Sequence, residues 1–219
     1  DGVLRSANRK KNNKKPYSGF WAEITFDGSI FEISDNCGGI PWDLHDYAFR
    51  MGRPNKRKDD NKLATVGTYG IGMKRAIFKI GQSACIQTQN AGDRFDVEID
   101  SDWRSSDSWK LEAVQGEKAM ASDGTTIVIG DLLTDIAEDF SNRDFVLKLR
   151  QKIESHYARI ISKGFVVKLN GEAVVPKPIA ILADKPTGKG QKIRPYMFKS
   201  TVDGVDVFVT VGLREGIPS

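Results

Sequence analysis

Cysteine is scarce: Cys37 and Cys85 are the 2 cysteines in a chain of 219 residues. They stand in unlike contexts and form neither a disulfide framework nor a zinc-ligand pattern, so a reducing cytoplasm is the expected compartment. Long apolar runs are missing too. None approaches the roughly 18 residues that span a bilayer, and no apolar leader with a cleavage site opens the chain, so no membrane partner is expected. A large excess of one charge is also absent, the net charge being +4. What remains is 39% hydrophobic and 28% charged residues, the composition of an ordinary globular protein. The length suffices for one large core or one and a half domains.

The positive charge is unevenly placed. Arg9, Lys10, Lys11, Lys14 and Lys15 form one cluster, and Arg53, Lys56, Arg57, Lys58 and Lys62 another. Both lie among Asn, Gly or Pro with few apolar residues, so they read as solvated loops. Contact with DNA or another nucleic acid is the alternative.

Residues 1–17 lack apolar periodicity and read as a loop. Over 19–34, Ala22, Ile24 and Phe26 alternate with polar residues, and Phe31 and Ile33 alternate on the return, with Asp27-Gly28 expected as a tight positive-φ turn. A short helix is expected over 42–50, then a long polar loop over 52–66 of the kind that often forms a lid. A glycine-rich turn feeds a helix ending near Ile80, and strands follow near 83–89, 93–100, 109–114 and 125–130. Val146, Leu149, Ile153, Tyr157 and Ile160 make one apolar stripe, predicting a helix over 143–163 capped by Ser141 and ended by Gly164. Asn170-Gly171 predicts a hairpin turn, 184–192 a second loop, and 193–200 and 205–212 two more strands. Hairpins with a few long helices, and no regular βαβ alternation, point to an α+β two-layer sandwich with a mostly antiparallel sheet.

Three segments carry chemistry. In Gly67-Thr68-Tyr69-Gly70-Ile71-Gly72-Met73-Lys74, glycines allow close backbone approach, and the amides opening the following helix suit a phosphate. It is not a Walker loop, because the lysine comes one residue late and Arg75 stands where Ser or Thr would follow. Nor is it a dinucleotide fingerprint, since Arg75 holds the third glycine position. In Ser34-Asp35-Asn36-Cys37-Gly38-Gly39-Ile40, a carboxylate ends a strand before two glycines and can accept from an amino group such as that of adenine. Asp123-Gly124-Thr125 taken alone reads as a turn before a strand.

In this order and spacing the three segments resemble the GHKL superfamily of ATPases: gyrase, the large heat-shock chaperones, histidine kinases and MutL. Asp35 to Gly39 matches the Asp-x-Gly-x-Gly box except at Cys37; Gly67, Gly70 and Gly72 match the lid core; Gly124-Thr125 matches the third box. The lid resembles the chaperone and microrchidia branches most, through Phe49-Arg50-Met51-Gly52 and the glycines that follow. The resemblance implies a Bergerat-type fold binding ATP with Mg²⁺. Asp35 would accept the adenine amino group, Gly39 and Ile40 would lie against the ring, and Thr125 would support that end. The amides of Gly67, Thr68, Tyr69, Gly70, Ile71, Gly72 and Met73 would wrap the phosphates, and Lys74 would add a charge.

In that superfamily a helix ending in Asp-Ala or Asp-Gly carries a glutamate as general base and an asparagine that holds Mg²⁺. This chain opens with Asp1-Gly2, so both residues are expected upstream, and no catalytic or metal residue is assigned within it. Residues 1–140 are expected as the ATP-binding domain and 141–219 as an extension or the start of a second, truncated domain. The implied function is an ATP-hydrolysing switch that becomes a homodimer when ATP is bound. The alternative is a non-hydrolysing nucleotide- or nucleic-acid-binding module. A phosphotransferase of the histidine-kinase type ranks last, because only His45 and His156 are present and no phosphoacceptor-like helix precedes the domain.

Overall fold

A computed structural model describes residues 14–49, 71–105, 111–117, 119–178, 181–182 and 193–213. The basic residues 9–11, the loop 52–66 with its cluster, Arg50-Met51-Gly52, Gly67 to Gly70 and the 184–192 loop lie outside that set. Among the described residues no helix is long and apolar enough to cross a membrane.

The chain divides into two compact units, Asp1–Pro176 and Lys177–Ser219. The first holds an eight-stranded sheet of order β5-β4-β3-β6-β2-β1-β7-β8. Its strands are β1 (Trp21–Phe26), β2 (Phe31–Asp35), β3 (Gly81–Asn90), β4 (Asp93–Ile99), β5 (Ala113–Gln115), β6 (Gly124–Leu132), β7 (Val166–Leu169) and β8 (Glu172–Ala173). β1 and β7 run parallel, and the other described pairs are antiparallel. The fold is therefore α+β with a mixed, mostly antiparallel sheet, as expected.

Period-two alternation decides which face is covered. Phe26 pairs with Phe31, Phe31 with Ile129, and Ile129 with Ala84, so these side chains share one face. Glu23, Glu32, Ser34, Thr126, Gln87, Asp96, Glu98 and Lys168 occupy alternate positions on the other face, which is polar.

Helices cover the apolar face. A 3₁₀ turn at Trp42–Leu44 leads into α1 (His45–Phe49), and α2 (Gly72–Ile80) precedes β3. Phe49 and Ile77 pack with Ile86, Phe95, Val97, Ile99 and Ile129 in one buried cluster. After α3 (Ser101–Ser105) come α4 (Thr134–Ser141), α5 (Arg143–His156) and α6 (Ala158–Ser162). Phe140 and Ile153 join Phe26, Val167, Leu169 and Val174 in a second cluster. Phe31, Ile80 and Leu132 pack against both clusters and make the core continuous. Arg150 fastens α5 to the β7–β8 hairpin through the Leu169 carbonyl and the Glu172 carboxylate, at 3.4 and 2.8 Å.

Three local expectations are corrected. The single helix over 143–163 is two helices, because at Tyr157 (φ −102°, ψ 9°) the chain leaves helical geometry. Ser141 is not its cap: Asn142 accepts from the Asp144 amide, and Ser141 ends the separate helix α4. Asp27 and Gly28 are not a positive-φ pair. Four residues join β1 to β2, with the Asp27 carboxylate accepting from the Ser29 and Ile30 amides at 2.7 and 3.2 Å. Gly28 is small for another reason, since a Cβ there would overlap the Ser141 hydroxyl. Asn170-Gly171 does form the expected turn, at φ 48° and 81°.

The second unit contains the hairpin of β9 (Tyr196–Val202) and β10 (Val205–Val211), turned by Asp203-Gly204 at φ 49° and 78°. Its alternation places Tyr196, Phe198, Val202, Val207, Val209 and Val211 on one side.

Candidate nucleotide-binding site

The end of β2 is where three separate pieces of sequence meet. Asp35 pairs with Thr125 on β6, and Thr125 pairs with Thr88 on β3, so the three share the helix-covered face. The chain then turns at Gly38 and Gly39, at φ 94° and 61°, and lays Ile40 over β3. Those glycines carry the positive φ, and Cys37 does not, so the departure from the family box at Cys37 leaves the turn achievable. The Cys37 amide donates to Asp35 Oδ1 at 2.7 Å, and the residue is buried.

Thr88, which sequence reasoning missed, joins the pieces. It is fully buried. Its hydroxyl accepts from the Ile40 amide at 2.8 Å, donates to the Gly124 carbonyl at 3.2 Å and lies 3.1 Å from the Thr125 hydroxyl. Steric fit closes the corner. A Cβ on Gly39 would overlap the Gln89 carbonyl, and one on Gly124 would overlap the Asp35 carbonyl. A second ring of contacts holds the turn from outside. The Asn90 amide group donates to the Gly38 carbonyl at 2.5 Å. The Gly38 amide donates to the Asp123 carbonyl at 3.3 Å. Asp123 accepts from the Ala91 amide at 2.8 Å and from Gln89 at 3.2 Å. Burial alone would raise the Asp123 carboxyl, but these donors hold it below its ordinary value.

Asp35 shows the opposite balance. Burial pushes its carboxyl above the ordinary value, against the Cys37 amide and the Thr125 backbone, which favour the charged form. A desolvated carboxylate short of donors gains most from an incoming amino group.

Ile71 to Lys74 lie at the start of α2. Among the described residues no side chain caps this helix, and no acidic residue occupies its first turn. Among the described residues, a Cβ on Gly72 would meet nothing within 4 Å, so none of them blocks an approaching group there. An uncapped, glycine-opened helix start fits an anion. Met73 and Ile40 pack on the same core cluster, which relates the two halves of the site. Lys74 faces inward: it is 2% exposed, and its ammonium donates to the Ala48 carbonyl at 2.6 Å. The structure thus brings Asp35, Gly39, Ile40 and Thr125 into one corner and leaves Ile71 and Gly72 as an open helix end. Gly67, Thr68, Tyr69 and Gly70 lie outside the described residues.

Among the described residues, no group of three or more His, Cys, Asp or Glu could hold a metal. A depression of about 620 Å³ at the β4–β5 end of the sheet is lined by Asp96, Glu98, Asp100, Glu112 and Glu117. Its charge repels a triphosphate.

The eight-stranded sheet with its helices matches the fold of a GHKL ATPase domain. Two solved structures carry the comparison. One is the ATPase region of Saccharomyces cerevisiae topoisomerase II bound to ICRF-187 (dexrazoxane), with a TM-score of 0.52 and 16% identity. The other is a second structure of the ATPase region of Saccharomyces cerevisiae topoisomerase II, with a TM-score of 0.51 and 15% identity. Each match covers 72% of this chain and 43% of the other, so the chain corresponds to less than half the length of those structures. At this identity the likeness is one of fold. No protein-family model matches the chain, and no curated protein matches it.

Proposed function

We propose that this chain is the ATP-binding domain of a GHKL ATPase, a nucleotide-gated switch that hydrolyses ATP to ADP and phosphate in the intact protein. The observation that carries the reading is the desolvated Asp35 carboxylate, set beside Thr125 and beneath the Gly39–Ile40 turn in a sheet of this type. Asp35 accepts the adenine amino group, Ile40 offers an apolar surface to the ring, and Thr125 steadies the carboxylate end. The opening amides of α2 face the phosphates, and Gly72 lets them approach. Lys74 supplies charge from behind the helix, and to touch a phosphate it must release the Ala48 carbonyl. Mg²⁺, when bound, would neutralise phosphate charge. No general base or metal ligand is assigned among the residues of this chain.

Calorimetric titration of ATP and a non-hydrolysable analogue tests the reading. Asp35→Asn removes a charge-assisted hydrogen bond worth about 1.5–3 kcal/mol, so affinity falls roughly 10- to 150-fold. Wild-type affinity in the variant would overturn the assignment of Asp35. The switch is tested separately by sedimentation with and without the analogue, the expected result being a homodimer only when nucleotide is bound.

A further inference from the structure

A second site lies where α5 hands over to α6. A cleft of about 250 Å³ is lined by Tyr17, His156, Tyr157, Arg159, Ile160 and Lys163. Among the described residues no carboxylate lines it. Among the described residues, neither Arg159 nor Lys163 is in an ion pair. Unneutralised cations beside one another on a folded surface repel, and an anion relieves that repulsion.

The wall is built by the fold. The break at Tyr157 separates α6 from α5, and Tyr157, which lines the cleft, is 57% exposed. The Tyr17 amide donates to the Lys163 carbonyl at 3.2 Å, fixing the opposite side. Gly164, at φ 102°, lets the Lys15–Ser18 turn pack against it, and a Cβ there would lie 3.0 Å from the Ser18 amide nitrogen. That contact brings the end of the first basic cluster, Lys14 and Lys15, next to the cleft. His156 turns Nδ1 to the Lys152 carbonyl at 2.9 Å, leaving Nε2 as its outward edge.

We propose that this cleft binds a single strand of nucleic acid, with Arg159 and Lys163 on the phosphodiester and the Tyr157 ring stacked on a base. The pairing of exposed aromatic and cation is the recognition chemistry of single strands. A duplex keeps its bases stacked inside and would leave the Tyr157 ring with nothing to cover it. The cleft is too small for a whole drug-sized ligand, which takes roughly 300 Å³ or more, and suits one nucleotide of a polymer that continues along Lys14 and Lys15.

Fluorescence anisotropy with a labelled oligothymidylate tests the proposal on the whole chain. Arg159→Gln with Lys163→Gln flattens the slope of log affinity against log salt by about 1.4, at about 0.7 per phosphate contact. Tyr157→Ala weakens binding about 5- to 150-fold, and Tyr157→Phe restores it. Unchanged melting temperatures and ATP titrations in all three show that neither the fold nor the nucleotide reading is what fails. The proposal is overturned if the oligonucleotide does not bind, if these variants leave its binding unchanged, if a duplex of the same sequence binds as tightly, or if phosphatidylserine vesicles capture the protein through these residues in its place.

Discussion

Gly39 and Gly72 both belong to glycine motifs, yet the structure uses them in opposite ways. Gly39 is locked: φ is +61°, the residue is buried, and the Gln89 carbonyl fills the place of a side chain. Gly72 is exposed at the start of a helix, and among the described residues nothing lies within 4 Å of a Cβ there. The difference separates a corner closed by its own backbone contacts from a helix end that has no such contacts among the described residues. Under the proposed function the rigid corner would select the shape of a base and the helix end would receive phosphates.

The comparison is broken hardest at Gly39. Gly39→Ala forces an L side chain into the left-handed region and onto a carbonyl of β3, so it costs about 3 kcal/mol or more. Thermal or urea unfolding should show a much lowered midpoint. Thr88→Val should come next. It leaves the Ile40 amide without its acceptor, at about 1–3 kcal/mol, and loosens nucleotide binding without touching Asp35. Gly72→Ala should be the mildest of the stability changes, within about 1 kcal/mol and in the stabilising direction. Equal losses from Gly39→Ala and Gly72→Ala would erase the contrast.

Asp35 sharpens the contrast through pH. Its carboxyl is raised in the folded chain, so its favourable contribution to stability is complete below the unfolded value of 3.8 and is lost as pH rises through the folded value. Asp35→Asn should therefore gain stability relative to wild type between acid and neutral pH, while binding ATP less well. Melting curves at the two ends of that window check the first part. The wild-type affinity for ATP should also fall as pH drops through the raised value, because only the carboxylate accepts the amino group well. A pH-independent affinity would remove Asp35 from the site.

The second unit offers a further contrast with the large sheet. The apolar faces of β1 to β4 lie under helices, whereas on β9–β10 Tyr196, Val202 and Val211, which share a face, are 65%, 53% and 58% exposed. The same alternation that reads as a buried face in one unit reads as an exposed one in the other. Pattern alone tells which side chains lie together, and not what covers them.

Local features with a local cause were legible. Asn170-Gly171 makes its turn because both residues tolerate positive φ, and the alternation of Ala22, Ile24 and Phe26 follows the pleat. The break at Tyr157 was not, since the apolar stripe runs on at helical spacing through Ile160 and gives no sign of it. Helix α4 was hidden in a stretch whose apolar residues, Ile136 and Phe140, show their purpose only against Phe26 and Phe31.

By itself the sequence determined the three motifs and the α+β class, which rest on residue chemistry and short-range spacing, and the resemblance those motifs carry named Asp35, Gly39, Ile40 and Thr125 as candidates. Tertiary structure decided that β6 inserts between β2 and β3, and so that Thr125 stands between Asp35 and Thr88. It also decided that Lys74 is turned to Ala48, and that Tyr17 closes a cleft with residues some 140 positions later in the chain. Strand order depends on which apolar faces can be buried together, a property of the whole core that no short stretch of the chain encodes.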